Sequence, residues 1–319
     1  MISLTQMEYV LAVDKFRHFS QAAKSCNVSQ PSLSMQLQKA EEFIGVVIFD
    51  RSKSPIATTD QGEIIINQFR AVLREYKKVF TLVSESEKEI AGDFILGVIP
   101  TLAPYVIPLF IERFCQRYPK VNLTIEEMKT ETIISSLASD HIDGGLLVTP
   151  LHNDKLIERS LFLEPLYAYV SPQSKLAKLE KIKATDLKEK GLWILNEGHC
   201  FRDQVFNLCN YVKDKKTESI YDNLFFESGN LETLKRIVDK GNGHTVLPFL
   251  ATTGFGAKEK SKLREFRGAR PMREVSLVHS RTELKERILN AIEESILESL
   301  PSGVDSHKTS KVNILEITS

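Results

Sequence analysis

At 319 residues, with 42 basic and 42 acidic side chains, the chain is long enough for two or three domains, each with its own core. A formal net charge of zero excludes a global field that would draw the whole surface to nucleic acid or membrane, so any polyanion must be met by locally placed charge. No apolar run approaches a membrane-spanning length, and residues 1–8 lack a basic then apolar leader; the expectation is a soluble cytoplasmic protein with no membrane partner. In that compartment four cysteines, Cys26, Cys115, Cys200 and Cys209, do not amount to a structural disulfide framework.

The chain opens on a helical stripe of Met7, Val10, Leu11 and Ala12 behind a Thr5 cap. A second short helix starts near Ser20, with Ala22 and Ala23 leaving room for close packing. The chain turns at Asn27-Val28. Ser29 then caps a third helix that carries Pro31 in its first turn, where a missing N–H costs nothing. Its apolar stripe is Leu33, Leu37, Ala40 and Ile44, so Pro31, Ser32, Met35, Gln38 and Lys39 face outward. Two short helices around a tight turn, with a polar outer face on the second, match a helix-turn-helix over residues 19–38. Residues 46–58 read as a two-stranded wing tipped by Arg51 and Lys53.

The expected DNA-binding set is Gln30, Pro31, Ser32, Met35 and Gln38 at base edges, with Lys39, Arg51 and Lys53 on phosphates. Six basic and six acidic side chains among residues 1–60 leave an ordinary solvated helical domain as the alternative. Residues 60–91 repeat apolar side chains at three and four (Ile64, Ile65, Phe69, Val72, Leu73, Tyr76, Val79, Phe80, Val83) without proline. This is one long helix, about 40 to 45 Å by its rise. Such a stripe exceeds what a 60-residue domain can cover, so a second subunit is its expected partner.

After Gly92 strands alternate with helices. Strands are expected at 94–101, 121–126 and 144–148, and helices at 105–117 and from Thr130. A second set follows: strands at 166–170, 192–195, 244–248 and 275–278, and helices at 231–239 and 283–300. Alternation of this kind predicts two α/β lobes around a parallel sheet, with ligands at the carboxyl ends of strands. Thr101 and Thr130 fall at such ends. The tail beyond Pro301 is polar and expected to be flexible.

Residues 197–209, Glu-Gly-His-Cys-Phe-Arg-Asp-Gln-Val-Phe-Asn-Leu-Cys, gather two cysteines, a histidine and an arginine in one short window. The run from Phe201 to Tyr211 reads helical. Nine residues of helix advance about 13.5 Å, whereas a disulfide needs Cα atoms within about 7 Å. Cys200 and Cys209 can therefore join only if the helix unwinds. Cys200, at the helix start beside His199 and Arg202, has surroundings that favour a thiolate, partly opposed by Asp203. Cys209 is placed to resolve an oxidised partner. The alternative is that both are small packed hydrophobes, the expectation also for Cys26 and Cys115. Zinc is disfavoured because no C-x2-C pair exists.

Phe19-Ser20-Gln21-Ala22-Ala23, Val28-Ser29-Gln30-Pro31-Ser32-Leu33-Ser34, Phe49-Asp50-Arg51 and Thr59-Asp60-Gln61-Gly62 resemble the winged helix-turn-helix of LysR-type transcriptional regulators. The rest, to about Leu300, is similar to their two-lobed periplasmic-binding-protein-like effector domain. Residues 198–204 with Cys209, together with Ile99-Pro100-Thr101, Thr130 and Arg273, resemble the peroxide-sensing members of that family. Ala40, where the family usually has leucine, and the tail depart from the pattern.

The resemblance implies a winged helix-turn-helix at 1–59, a dimerisation helix at 60–91, and a regulatory domain at 92–300 with lobe I at 92–165 and 268–300 and lobe II at 166–267; residues 301–319 form the tail. It implies a peroxide pocket of Thr101, Thr130, His199, Asp203 and Arg273, a peroxidatic Cys200, a resolving Cys209 and a reversible disulfide. It further implies a dimer or tetramer on promoter DNA, contact with RNA polymerase, and reduction by a thiol reductant such as glutaredoxin or thioredoxin, with no cofactor and no metal. The competing expectations are a LysR-type regulator that takes a small organic effector between its lobes, its cysteines inert, and a thiol peroxidase using Cys200. The second leaves the N-terminal domain unexplained, so the chain is expected not to be an enzyme.

Overall fold

The computed structural model describes residues 1–84, 89–209, 226, 228–241, 243–281, 283, 285–304 and 313–315. The chain divides into two compact units, Met1–Glu89 and Ile90–Ser319.

In the first unit α1 (Leu4–Phe16) is capped by Ser3, not Thr5. The Ser3 hydroxyl accepts from the Gln6 N–H while the Gln6 side chain accepts from the Ser3 N–H, a reciprocal capping box that fixes the start two residues earlier than expected. α2 (Phe19–Ser25) begins after His18, whose ring nitrogen accepts from the Ser20 N–H. Ser29 caps α3 (Gln30–Ile44) as its sequence predicts, and the helix ends at left-handed Gly45. α3 buries Leu33, Leu37, Ala40 and Glu41. Ile44 is only half-buried, because Glu41 holds that end of the face. The Glu41 carboxylate accepts from the N–H groups of Ile48 and Phe49 and pairs with Arg51 at 2.6 Å.

The wing strands β1 (Phe49–Asp50) and β2 (Ala57–Thr58) are antiparallel, Phe49 opposite Thr58. α4 (Asp60–Ser84) follows. Gly62 sits so close to the wing that an added Cβ would lie 2.2 Å from the Ile48 carbonyl oxygen, which explains the glycine. α4 buries Ile66, Phe69 and Leu73 and leaves Ile64, Tyr76 and Val79 of its apolar stripe exposed. The expected helix end beyond Ser84, and the side chains of Phe80 and Val83, lie outside the described residues.

The second unit begins with three parallel strands, β3 (Gly92–Val98), β4 (Val121–Glu127) and β5 (Gly144–Thr149), in the order β4-β3-β5. Helices α5 (Ala103–Arg117) and α6 (Thr130–Ala138) connect them. β6 (Leu156–Val170) is three times the expected length. β7 (Lys181–Ile182), α7 (Cys200–Cys209), α8 (Leu231–Lys240), β8 (His244–Pro248), α9 (Ala257–Lys260) and β9 (Leu263–Phe266) follow. β10 (Pro271–Ser280) and α10 (Glu286–Ser299) complete the lobes.

The expectation of a parallel sheet holds for β3, β4 and β5 and for the short pair β7–β9, but not for the long strands. β10 is antiparallel to β5 and to β6, and β6 is antiparallel to β8 and β9. Long β6 and β10 run side by side through both lobes, so the sheet is mixed. One core packs β3, β5, α5, α6 and α10, with Phe94, Phe110, Phe114 and Leu289 fully buried. The other packs β6, β8, α7 and α8, with Leu166, Phe201, Val205 and Leu247. Residues 192–195 make isolated bridges (Leu192 with His244, Leu195 with Ser228) instead of a strand.

The tail also differs from expectation. β11 (Asn313–Ile314) pairs in parallel with Pro271 and Met272 of β10. The Leu315 N–H donates to the Met272 carbonyl at 2.9 Å, and Leu315 is buried in the second core. A polar composition hid the apolar pair Ile314 and Leu315 that docks.

Candidate functional site

All four cysteines are free. Cys115 is exposed on α5 and Cys26 half-buried, so the packed interior expected for both is wrong for Cys115. Cys200 and Cys209 are buried at the two ends of α7, and they belong to different cores: Cys200 to the first, Cys209 to the second. Between them Phe201, Gln204, Val205 and Phe206 are buried as well. The Cys209 thiol donates to the Val205 carbonyl at 3.1 Å, a contact that requires the helix. The expected helical residues Asn210 and Tyr211 lie outside the described residues.

Cys200 lines a small recess together with Ile99, Pro100, Thr101, Lys129, Thr130, Gly198 and His199. Three elements supply these groups: the turn from β3 into α5, the first residue of α6, and the turn into α7. Of the expected pocket residues the structure brings Thr101, Thr130 and His199 to the thiol. Arg273 lies behind Thr101, fully buried. Its guanidinium donates to the Thr101 hydroxyl (3.0 Å) and carbonyl (3.1 Å) and to Glu164 (2.8 Å), and sits 5.4 Å from the Phe201 ring centre. Glu164, directly opposite Arg273 on β6, is also fully buried and accepts from the Leu250 N–H. Asp203 is half-buried on α7 and is not part of the recess wall.

The electrostatics correct one expectation. The Cys200 thiol lies above its ordinary range, because burial outweighs the nearby Thr130 hydroxyl and the charge of Arg273, both of which favour the thiolate; Asp203 opposes them. Arg202, expected to help, packs its guanidinium over the Phe206 ring instead. The Thr130 hydroxyl at the recess wall is buried and makes no hydrogen bond within geometric limits among the described residues. His199 is held below its ordinary range, first by burial and then by Lys129, so its imidazole is neutral at pH 7. Gly229 packs on that ring: an added Cβ would lie 3.2 Å from Nε2.

Spacing could not reveal Glu164, Lys129 or Gly229, since each acts on residues 30 to 110 positions away. One signal was available for Glu164, a charge inside the apolar run 161–170. Among the described residues no cluster of His, Cys, Asp and Glu is arranged to hold a metal.

In the first unit Gln30, Pro31, Met35, Gln38 and Lys39 are exposed along α3, with Ser32 half-buried beside them. Met35 is half exposed, the outward side chain of a helix with nothing apolar to cover it. Gln30 accepts from the Ser20 hydroxyl, and Gln38 donates to Glu42 at 3.0 Å. Lys53 stands 3.7 Å from Asp50 at the wing. Arg51 pairs with Glu41 and lies over the Phe19 ring at 5.4 Å while remaining exposed at the wing.

Comparison with known proteins agrees with this division. Residues 4–63 match the family described as bacterial regulatory helix-turn-helix protein, lysR family, and residues 87–301 match the LysR substrate binding domain. The DNA-binding transcriptional dual regulator OxyR of Escherichia coli is 34% identical over 251 residues, 78% of this chain and 80% of that protein. The hydrogen peroxide-inducible genes activator of Haemophilus influenzae is 30% identical over 87% of this chain and 90% of its own length. The structure of a full-length OxyR variant from Pseudomonas aeruginosa matches with a TM-score of 0.80 at 30% identity, covering 94% of this chain and 99% of that one.

Proposed function

This chain belongs to the LysR family of bacterial transcriptional regulators, and we propose that it is a hydrogen-peroxide sensor that activates antioxidant genes through a reversible Cys200–Cys209 disulfide. The observation that carries the reading is the position of the two thiols, at opposite ends of one buried helix and in separate cores. Peroxide enters the recess beside Thr101, Thr130 and His199. The Cys200 sulfur attacks one peroxide oxygen; the S–O bond forms, the O–O bond breaks, and the thiol proton leaves with the other oxygen as water. The thiol of Cys209 then attacks the sulfenic sulfur and expels a second water.

Neutral His199 is able to accept the thiol proton, and Arg273 and Thr130 favour the thiolate that results. The bridge cannot close within α7, whose ends lie about 13.5 Å apart. The helix must unwind, pulling Cys209 and its neighbours from the second core. That rearrangement is the signal.

Domains at 1–59, 60–91 and 92–300 divide the work into reading promoter DNA, joining subunits and sensing. The exposed Ile64, Tyr76 and Val79 of α4 support a second copy of the chain as partner, and the family resemblance supports a dimer or tetramer that recruits RNA polymerase. A thiol reductant such as glutaredoxin or thioredoxin resets the switch in the cytoplasm.

Promoter transcription in vitro with and without peroxide tests the reading. Wild type responds; Cys200→Ser and Cys209→Ser do not. A Cys200→Ser protein that still responds to its inducer would refute the disulfide switch and favour the effector reading.

A further inference from the structure

Lys129 occupies the turn between β4 and α6, one residue before Thr130. Its ammonium donates to the Glu197 carbonyl at 3.2 Å. Its stem lies across Gly198, where an added Cβ would meet Nζ at 2.8 Å and Cδ at 3.3 Å; Gly198 itself has φ of +84°. The same side chain walls the recess with His199 and Cys200. A cation at the N-cap of α6, making no side-chain cap bond, opposes the helix dipole, so the helix gains nothing from it.

We propose that Lys129 is a positioning residue for the oxidation of Cys200: it fixes the Glu197–Gly198 backbone ahead of the thiol and presents a positive charge to the departing peroxide oxygen. The inference rests on the reading of Cys200 as the peroxide-reacting thiol. As the O–O bond breaks, negative charge grows on the oxygen that will take the thiol proton and leave as water. A cation already in place stabilises that charge without reorganisation. It also disfavours an imidazolium at His199, which keeps that ring free to accept the proton. The titratable groups around His199 are Lys129 from the β4–α6 turn, Glu197 in the preceding turn, and the neutral Cys200 thiol with Arg202 and Asp203 of α7. Gly229 and Asn196 on its other side carry no charge.

The test compares full-length wild type, Lys129→Arg, Lys129→Gln and Lys129→Met, with thermal melts to report folding. The rate of Cys200 oxidation by excess hydrogen peroxide is measured by quenched mass spectrometry at low and high salt, and His199 is titrated in the reduced proteins by NMR. Loss of the charge should slow oxidation about tenfold at low salt, with arginine recovering most of it. The gap should narrow at 1 M salt, where an exposed charge is screened within about 3 Å. The His199 titration should move up in the glutamine and methionine variants and stay in arginine. Wild-type rates in Lys129→Gln and Lys129→Met would overturn the proposal. Equal slowing in all three variants, independent of salt, would overturn it too, since it would leave no part for the charge. A wild-type Cys200 inert to peroxide would instead remove the reading beneath it.

Discussion

Cys200 shows how burial and charge compete at one atom. Helix position and neighbouring basic residues suggest a depressed thiol in the sequence, yet the side chain is buried and the desolvation of the anion wins. The consequence is measurable: alkylation of Cys200 by iodoacetamide should be slow at pH 7 and still rising above the ordinary thiol range, and a plateau below pH 8 would contradict the assignment. Histidines give a second residue-scale prediction. His199, His244 and His279 are all held below their ordinary range, chiefly by burial. The unfolded chain therefore binds protons first as pH falls below about 6.5, and folding stability, full above that value, declines through the window down to the folded values. Urea midpoints should fall between pH 7.5 and 5.5. A flat profile would mean that the three rings are not desolvated.

At the scale of elements, local signals were legible and long-range ones were not. Ser29 and Pro31 mark the start of α3 because capping is local chemistry. The first two thirds of β6 were missed because Glu164 and Pro165 interrupt its apolar run, and the charge is tolerable only through Arg273, 109 residues away. Likewise the helix bearing the two cysteines could be read from its periodicity, but not the division of its ends between two cores. β11 was hidden in a polar tail. It touches α7 directly, since the Gln204 amide donates to the Leu315 carbonyl at 3.1 Å, and Leu315 packs in the core that holds Cys209. Leu315→Ala should cost about 2 to 3 kcal/mol, measured by denaturant unfolding of the reduced protein. An unchanged midpoint would show that the tail does not dock.

For the whole molecule, zero net charge means that DNA affinity must come from placement and from doubling the binding face. Exposed Lys39 and Lys53 are the cations proposed to meet phosphate. Lys53→Ala should weaken binding to all sequences alike and lower the salt slope by about one, whereas Met35→Ala should change sequence preference. Arg51→Ala should also destabilise the first unit, because it strips the buried Glu41 of its partner. Binding isotherms over a salt series separate these cases; an unaltered slope for Lys53→Ala would place the wing away from the DNA backbone.

The central claim is that α7 opens so that its two end cysteines can join. The measurement that tests it most directly is disulfide mapping by mass spectrometry on the full-length protein after near-stoichiometric hydrogen peroxide. The account predicts a Cys200–Cys209 bridge with Cys26 and Cys115 still thiols, and loss of the bridge on reduction. Oxidised protein in which Cys200 and Cys209 remain unbonded would contradict it.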